Sequence, residues 1–130
     1  MTQNPYDKMR QNAILTMPPE ELTLMLYDGA LKFCNQAILA VEGKEYEKAN
    51  NLIQRVQDII REFQMTLDME YEISGQFNMM YEYMHDRLVD ANLQKDVGIL
   101  EEVRGYVREF RDTWKETVRL ARAQPAGAKT

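Results

Sequence analysis

The sequence contains few residues that interrupt helices and few of the residue types that build reactive sites. Of its 130 residues, four are proline, six are glycine, one is cysteine and one is histidine. A single cysteine excludes an internal disulfide and argues against a cysteine-built metal site. Two of the prolines are adjacent, at Pro18 and Pro19, so long uninterrupted helices are possible in the rest of the chain.

Long apolar runs and clusters of positive charge are also missing. No segment approaches the roughly 18–20 apolar residues that span a bilayer, and residues 1–12 lack the apolar core of a signal peptide. The formal net charge is −5, and the absence of a lysine and arginine run argues against a nucleic-acid or anionic-membrane surface. We therefore expect a cytosolic protein that neither binds nucleic acid nor inserts stably into a membrane.

The remaining composition is that of one helical domain. Hydrophobic residues make up 45% and charged residues 28% of the chain, the balance of a globular protein with a sizeable core. Residues 1–16 are mostly polar with isolated apolar side chains, and we interpret them as a flexible N-terminal arm or cap. A four-helix bundle over residues 17–123 and a disordered tail over residues 124–130 complete the predicted organisation.

The spacing of apolar residues predicts four helices. The first begins at the double proline, which suits a first helical turn, and ends at Gly43. Its apolar side chains cover roughly 200° of its surface at about 100° per residue, so it must be covered from two directions. The second spans residues 46–67, the third spans residues 75–92, and the fourth follows Asp96, a good N-cap. Short connections predict an all-α, antiparallel up-down four-helix bundle.

Residues with catalytic or metal-binding potential are isolated. Glu82 and His85 have the Glu-x-x-His spacing of di-iron bundles, but a second copy of the pair is missing, so we interpret both as solvated. Cys34 lies on an apolar helix face without a nearby histidine or cationic cluster, which indicates a buried structural thiol. No phosphate-binding glycine loop or nucleophile motif is present. We therefore predict no catalytic residue, no cofactor and no metal, and hence no enzyme.

Methionine and tyrosine are unusually frequent in the third predicted helix. The chain has nine methionines and seven tyrosines, and five of them fall within residues 79–84. The predicted core stripe of this helix consists of Phe77, Tyr81, Met84, Leu88 and Ala91. A second stripe beside it contains Ile73, Met79, Met80 and Tyr83.

The second stripe allows two interpretations. Methionine suits irregular cores and adaptable binding surfaces alike, so Met79, Met80 and Tyr83 are either core filling or part of a partner-binding groove. An exposed apolar groove would need a cover. The N-terminal arm is the candidate cover in the absence of a partner, through Tyr6, Met9, Ile14 and Leu15.

Several segments of the chain resemble one known family. They are Asn4-Pro5-Tyr6, the run from Pro19 to Phe33 that contains Leu24-Met25-Leu26-Tyr27-Asp28-Gly29-Ala30, then Arg87-Leu88, Ala91-Asn92-Leu93, Asp96, Glu101-Glu102-Val103 and Phe110-Arg111-Asp112-Thr113-Trp114-Lys115. Over about residues 4–120 the chain resembles FliS, the flagellin-specific export chaperone family of bacterial flagellar assembly. It departs from the family at Met17-Pro18, where a small residue and a serine are usual.

This resemblance implies a four-helix bundle that binds the C-terminal segment of newly made flagellin in the cytosol. Such a protein keeps flagellin from polymerising early and helps to present it to a component of the export gate. The resemblance also implies that the N-terminal arm, with Tyr6, covers part of the binding surface and moves when flagellin arrives. The predicted client-binding or arm residues are Tyr6, Met9, Ile14, Leu15, Tyr27, Ile73, Met79, Met80 and Tyr83.

Two other functions fit the same predicted bundle. One is a generic helical adaptor or regulator with a different client. The other is a structural homodimer that uses the methionine stripe as its own interface. An enzyme would need a polar cleft, for which the sequence offers no residues.

Overall fold

The computed structural model describes residues 17–123, which form four α-helices. They are α1 (Pro19–Glu42), α2 (Tyr46–Thr66), α3 (Glu72–Gln94) and α4 (Val97–Ala123), and this part of the chain contains no strand. α1 packs against α2 and α4, and α3 packs against the same two helices from the other side. This arrangement confirms the predicted all-α up-down four-helix bundle. The predicted arm (residues 1–16) and tail (residues 124–130) lie outside the described residues.

The helix ends follow local sequence signals. Pro18 stands in the capping position of α1 without a side-chain cap, and Gly43 donates its N–H to the Leu39 carbonyl (2.9 Å) where the helix ends. The carboxylate of Asp96 accepts a hydrogen bond from the Ile99 N–H (3.3 Å), which confirms the predicted N-cap of α4.

The predicted bounds of α3 are wrong by a few residues at each end. The helix begins at Glu72 rather than at Gly75, because the Ser74 hydroxyl donates to the Asp68 carbonyl (2.6 Å) and holds the preceding turn in place. It ends after Gln94, at Lys95, whose backbone is in the left-handed conformation (φ 51°). No helix of the described part of the chain has the length and apolar character needed to cross a membrane.

The core is apolar and continuous along the bundle axis. Its large, fully buried side chains come from α2, α3 and α4 and include Ile53, Ile60, Met84, Leu88 and Leu100. α1 contributes mostly smaller residues, such as Ala30, Cys34 and Ala37, which allow its backbone to approach its neighbours closely. The buried face of α1 contacts both α2 and α4, as its wide apolar arc predicted.

One residue of the predicted core stripe of α3 is not in the core. Tyr81, Met84, Leu88 and Ala91 are buried, whereas Phe77 is 39% exposed. It lies near the first turns of α3, at an end of the bundle where the four helices do not close over their apolar residues. The stripe therefore continues from the core into an open cavity.

Candidate binding cavity and groove

An aromatic cavity of about 490 Å³ opens at one end of the bundle. All four helices line it, with Thr23, Tyr27, Phe63, Thr66, Leu67, Phe77, Tyr81, Phe110, Thr113, Trp114 and Thr117. α1 begins at this end, one turn before Thr23, so the chain that precedes Pro19 joins the bundle beside the cavity. We call this site the aromatic cavity.

Two hydrogen-bonded tyrosines form the buried part of the aromatic cavity. The hydroxyls of Tyr27 and Tyr81 lie 3.0 Å apart, and the ring of Phe63 packs on both, with centroid distances of 4.4 Å and 5.6 Å. Burial raises the pKa of both tyrosines above the ordinary value, so the hydroxyls stay neutral. The pair uses one hydroxyl hydrogen between its two oxygens and has a second one.

The walls of the cavity are held by specific contacts. The ring of Phe110 meets Tyr81 and Phe77 edge to face, at centroid distances of 5.6 Å and 5.9 Å. Trp114 donates its Nε1–H to the Glu20 carbonyl (2.9 Å) and so ties α4 to the first turn of α1. These contacts place the aromatic walls before any ligand binds, which limits the ordering that binding requires.

Three of the four threonines of the cavity donate their hydroxyl hydrogens within their own helices. The hydroxyl of Thr23 donates to the Pro19 carbonyl (3.0 Å), and that of Thr66 donates to the Glu62 carbonyl (3.1 Å). Thr117 donates to the Thr113 carbonyl (2.8 Å) in the same way. Because these hydroxyls are occupied, the cavity favours an apolar or aromatic side chain over a charged one.

Side-chain contacts join α3 to α4 on the surface beside the aromatic cavity. The ring of Tyr83 contacts Tyr106 at a centroid distance of 6.1 Å, and its hydroxyl donates to Glu102 (2.9 Å). Arg87 donates to the same carboxylate (2.8 Å), and this hydrogen bond is the main reason why the pKa of Glu102 is lowered. Phe77 lines the cavity and contacts Phe110 of α4. We call this surface the α3–α4 groove.

The structure distributes the predicted site residues over several surfaces. Tyr27 is buried in the aromatic cavity. The spacing of Ile73, Met80 and Tyr83 places them on the stripe of α3 that also contains Phe77 and faces α4. The core-filling interpretation is wrong for Met79 and Tyr83, which are exposed. Tyr6, Met9, Ile14 and Leu15 lie outside the described residues.

Met79 is the most exposed residue of its stripe. Its position is about 160° from that of Tyr81 and about 40° from that of Tyr83 on a helix with roughly 100° per residue, and its side chain is 73% exposed. It therefore lies opposite the core and does not line the aromatic cavity. Met80 is half-buried and remains on the α4-facing side.

Phe63, Phe110 and Trp114 line the cavity but were not among the predicted site residues. Each follows the apolar spacing of its own helix, so the sequence indicates only a core position. Their common location becomes visible when antiparallel helices are aligned, because all three then lie at the same end of the bundle as Tyr27 and Tyr81.

Glu82 and His85 of α3 contact Arg61 of α2. Arg61 donates to the Glu82 carboxylate (2.6 Å) and lies 3.2 Å from His85 Nδ1. Hydrogen bonds from Gln64 and Arg61 lower the pKa of Glu82, whereas burial and the nearby Arg61 lower the pKa of His85. Within residues 17–123, no group of three His, Cys, Asp or Glu side chains is arranged to hold a metal ion.

Cys34 is expected to resist alkylation in the folded protein. It is completely buried, and burial raises the pKa of its thiol to about 12. At about pH 8 the thiolate fraction is then about a thousandfold below that of an unfolded chain. Iodoacetamide labelling followed by mass spectrometry should leave native Cys34 unmodified and modify it rapidly in urea. Rapid labelling without denaturant would contradict the buried position of the thiol.

This chain is similar to proteins that are described as FliS. Residues 2–121 match the family described as flagellar protein FliS. The flagellar secretion chaperone FliS of Bacillus subtilis (strain 168) is 44% identical over 126 residues, which cover 97% of this chain and 95% of the relative. The flagellar secretion chaperone FliS of Escherichia coli (strain K12) is 31% identical over 111 residues, with 83% and 82% covered. That of Salmonella typhimurium is 32% identical over 109 residues, with 82% and 81% covered.

Proposed function

The chain belongs to the FliS family of flagellar secretion chaperones, and from that membership we propose that it binds the C-terminal segment of flagellin in the cytosol. Binding prevents flagellin monomers from polymerising prematurely and aids their delivery, through a component of the export gate, to the flagellar type III export apparatus. The observation that carries the proposal is the aromatic cavity, which all four helices line. An open aromatic cavity of this kind suits a bulky side chain of a protein client.

The client binds as a segment that folds on the chaperone surface. An amphipathic helix lays its apolar face into the α3–α4 groove and inserts one bulky side chain into the aromatic cavity. Burying such a side chain contributes about 1.5–3 kcal/mol, which offsets part of the entropy lost when a disordered segment becomes ordered. The second hydroxyl hydrogen of the Tyr27 and Tyr81 pair favours an anchor that carries an acceptor.

We further propose that residues 1–16 cover the aromatic cavity when no client is bound. The chain enters the bundle beside the cavity, and a segment of this length can reach roughly 50 Å when extended. Tyr6, Met9, Ile14 and Leu15 supply the apolar side chains for this contact. The cover lowers the apparent client affinity in proportion to the fraction of time that the cavity is closed.

Deletion of residues 1–16 is therefore expected to leave the bundle folded and to keep or tighten the binding of a flagellin C-terminal peptide. A cover that closes the cavity nine-tenths of the time would give about a tenfold gain in affinity. Isothermal titration calorimetry measures the gain, and circular dichroism checks that the helix content is retained. A loss of binding on deletion would mean that these residues form part of the site.

Sedimentation analysis with and without a flagellin C-terminal peptide tests the proposed function. A complex of one chaperone with one peptide supports it, and a flagellin fragment without its C-terminal residues should fail to bind. If that fragment bound fully, the proposed recognition would be wrong. A tight dimer whose formation the peptide does not change would support the structural homodimer. Binding of unrelated amphipathic helices with the same affinity as the flagellin peptide would support the generic adaptor.

A further inference from the structure

A stripe of positive charge runs along α4 on the side that faces α1. Six basic residues follow one another at intervals of three or four positions: Arg104, Arg108, Arg111, Lys115, Arg119 and Arg122. At about 100° and 1.5 Å per residue they fall within an arc of roughly 80° and extend over about 27 Å. The sequence shows no run of adjacent basic residues, so helical spacing alone brings these charges together.

Contacts with α1 fix the direction of the stripe. Arg104 donates to the side-chain oxygen of Asn35 (2.9 Å), and Arg111 lies 3.5 Å from the carboxylate of Asp28. Arg122 donates to Glu21 (3.1 Å) at the start of α1. The stripe therefore borders the outer seam between the two antiparallel helices, away from the α3–α4 groove.

Carboxylates neutralise only some of the basic residues of the stripe. Within residues 17–123, ion pairs engage Arg111, Arg119 and Arg122 but none of the other three basic residues. The contact of Arg104 is with a neutral amide. Lys32 of α1 also lacks an ion pair in this part of the chain, and the pairing of Asp28 with Arg111 and of Asn35 with Arg104 places it level with Arg108. We call Lys32, Arg104, Arg108 and Lys115 the basic seam.

Apolar side chains flank the basic seam at both ends. Leu39 is 68% exposed near the end of α1. Towards the other end, Leu24 and Val118 are half-buried and line a depression of about 310 Å³ together with Lys115. The separation of Leu24 and Leu39 along α1 is about 22 Å, the length of a helix of about 15 residues.

We propose that the basic seam binds an acidic amphipathic helix of a second protein. Carboxylates in the middle of that helix pair with Lys32, Arg104 and Arg108, and apolar residues near its ends contact Leu39 and the depression at Leu24. The contact is shallow and partly exposed, so it forms quickly under electrostatic attraction and has modest affinity. This partner is additional to the client of the aromatic cavity, because the two surfaces share no residue.

Charge complementarity selects this occupant over two others. A nucleic acid presents a dense, continuous row of phosphates, some of which would meet Glu20 and Glu21 beside the seam, whereas a helix can carry its carboxylates only in its middle. A second copy of the chain that offered the acidic side of α3, near Asp86 and Asp90, would make a heterologous contact, because α3 is diagonal to α1 in the bundle. Such a contact forms rings or open chains and no two-fold dimer.

The test uses the full-length protein and two synthetic helical peptides of about 16 residues. One has glutamates at helical spacing in its middle and leucines at both ends, and its twin has glutamine in place of each glutamate. At about 50 mM NaCl, fluorescence anisotropy should show the glutamate peptide binding at least about tenfold more tightly than its twin. The difference should shrink at about 300 mM NaCl because the seam is exposed and salt screens its charges.

Two double variants with equal loss of charge locate the contact. Lys32→Gln with Arg108→Gln should weaken binding of the glutamate peptide about 3- to 20-fold. The matched control, Lys44→Gln with Lys48→Gln at the turn between α1 and α2, should change it by less than about twofold. Thermal unfolding of both variants checks that the bundle remains folded.

The proposal of a second partner would be wrong if the two peptides bound equally tightly, or if the two double variants weakened binding of the glutamate peptide equally. It would also be wrong if a short RNA of the same charge bound more tightly than the glutamate peptide. A salt-sensitive self-association of the protein that the seam variant abolishes would likewise contradict it. The flagellin C-terminal peptide should bind the seam variant as it binds the unaltered protein. A loss there would assign the seam to the flagellin site and leave the proposed chaperone function standing.

Discussion

Replacing Phe77 with aspartate is expected to weaken binding of a flagellin C-terminal peptide by at least about thirtyfold, which corresponds to roughly 2 kcal/mol. Phe77 is 39% exposed, lines the aromatic cavity and meets Phe110 edge to face, so we expect a client that enters the cavity to contact it. Aspartate removes the aromatic surface and places a charge where a client would exclude water, and that desolvation opposes binding. Isothermal titration calorimetry with the peptide measures the change.

Met79→Asp provides the matched control for this prediction. Met79 is two residues away on the same helix, is highly exposed and does not line the aromatic cavity. The same charge at this position should alter peptide affinity by less than about twofold, since it lies outside the cavity. If both variants weakened binding equally, the effect would come from net charge or from damage to α3. If neither did, the client would not use the aromatic cavity.

The fold follows from signals that are local in the sequence. Helix interiors appear as apolar residues spaced by three and four positions, and helix ends appear at Pro19, Gly43 and Asp96, where the structure has them. These signals depend on the backbone of one turn or on one helix face, so a single sequence contains them completely. The early start of α3 was missed because the Ser74 contact with Asp68 depends on the shape of the preceding turn.

The candidate site was harder to predict because it depends on how far each helix extends. Phe77 follows the same spacing as Tyr81 and Leu88, yet it is exposed because the bundle opens at its level. Phe63 and Phe110 follow core spacing in their own helices and still line the cavity. Periodicity gives the side of a helix on which a residue lies, whereas the alignment of four helix ends decides whether that side is covered.

The distribution of surface charge was also difficult to predict from single helices. Lysines and arginines form no run in the sequence, although the structure brings Lys32 of α1 level with Arg108 of α4. The net charge of −5 also conceals this seam, since a total says nothing about distribution. Charges that combine across two helices become apparent only when the pairing of those helices is known.

Replacing Leu88 with alanine is expected to lower the free energy of unfolding by about 2–5 kcal/mol. Leu88 is completely buried on α3, and the bundle cannot fully collapse around the space that the substitution leaves. For a domain of this size the midpoint of thermal unfolding should fall by roughly 8–20 °C. Leu93→Ala on the same helix is the control, because Leu93 is 81% exposed and its loss should cost no more than about 0.5 kcal/mol.

The flagellin peptide makes this stability experiment informative about function. A peptide that binds only the folded bundle at about a hundred times its dissociation constant adds about 2.7 kcal/mol of stability. It should therefore raise the unfolding midpoint of Leu88→Ala as well as that of the unaltered protein, because Leu88 lies below the groove and does not line the cavity. If the peptide raised the unfolding midpoint of Leu88→Ala but not that of Phe77→Asp, Leu88 would support α3 and Phe77 would contact the client. If the peptide raised the midpoint of neither variant, client binding would depend on the rigidity of α3 as a whole.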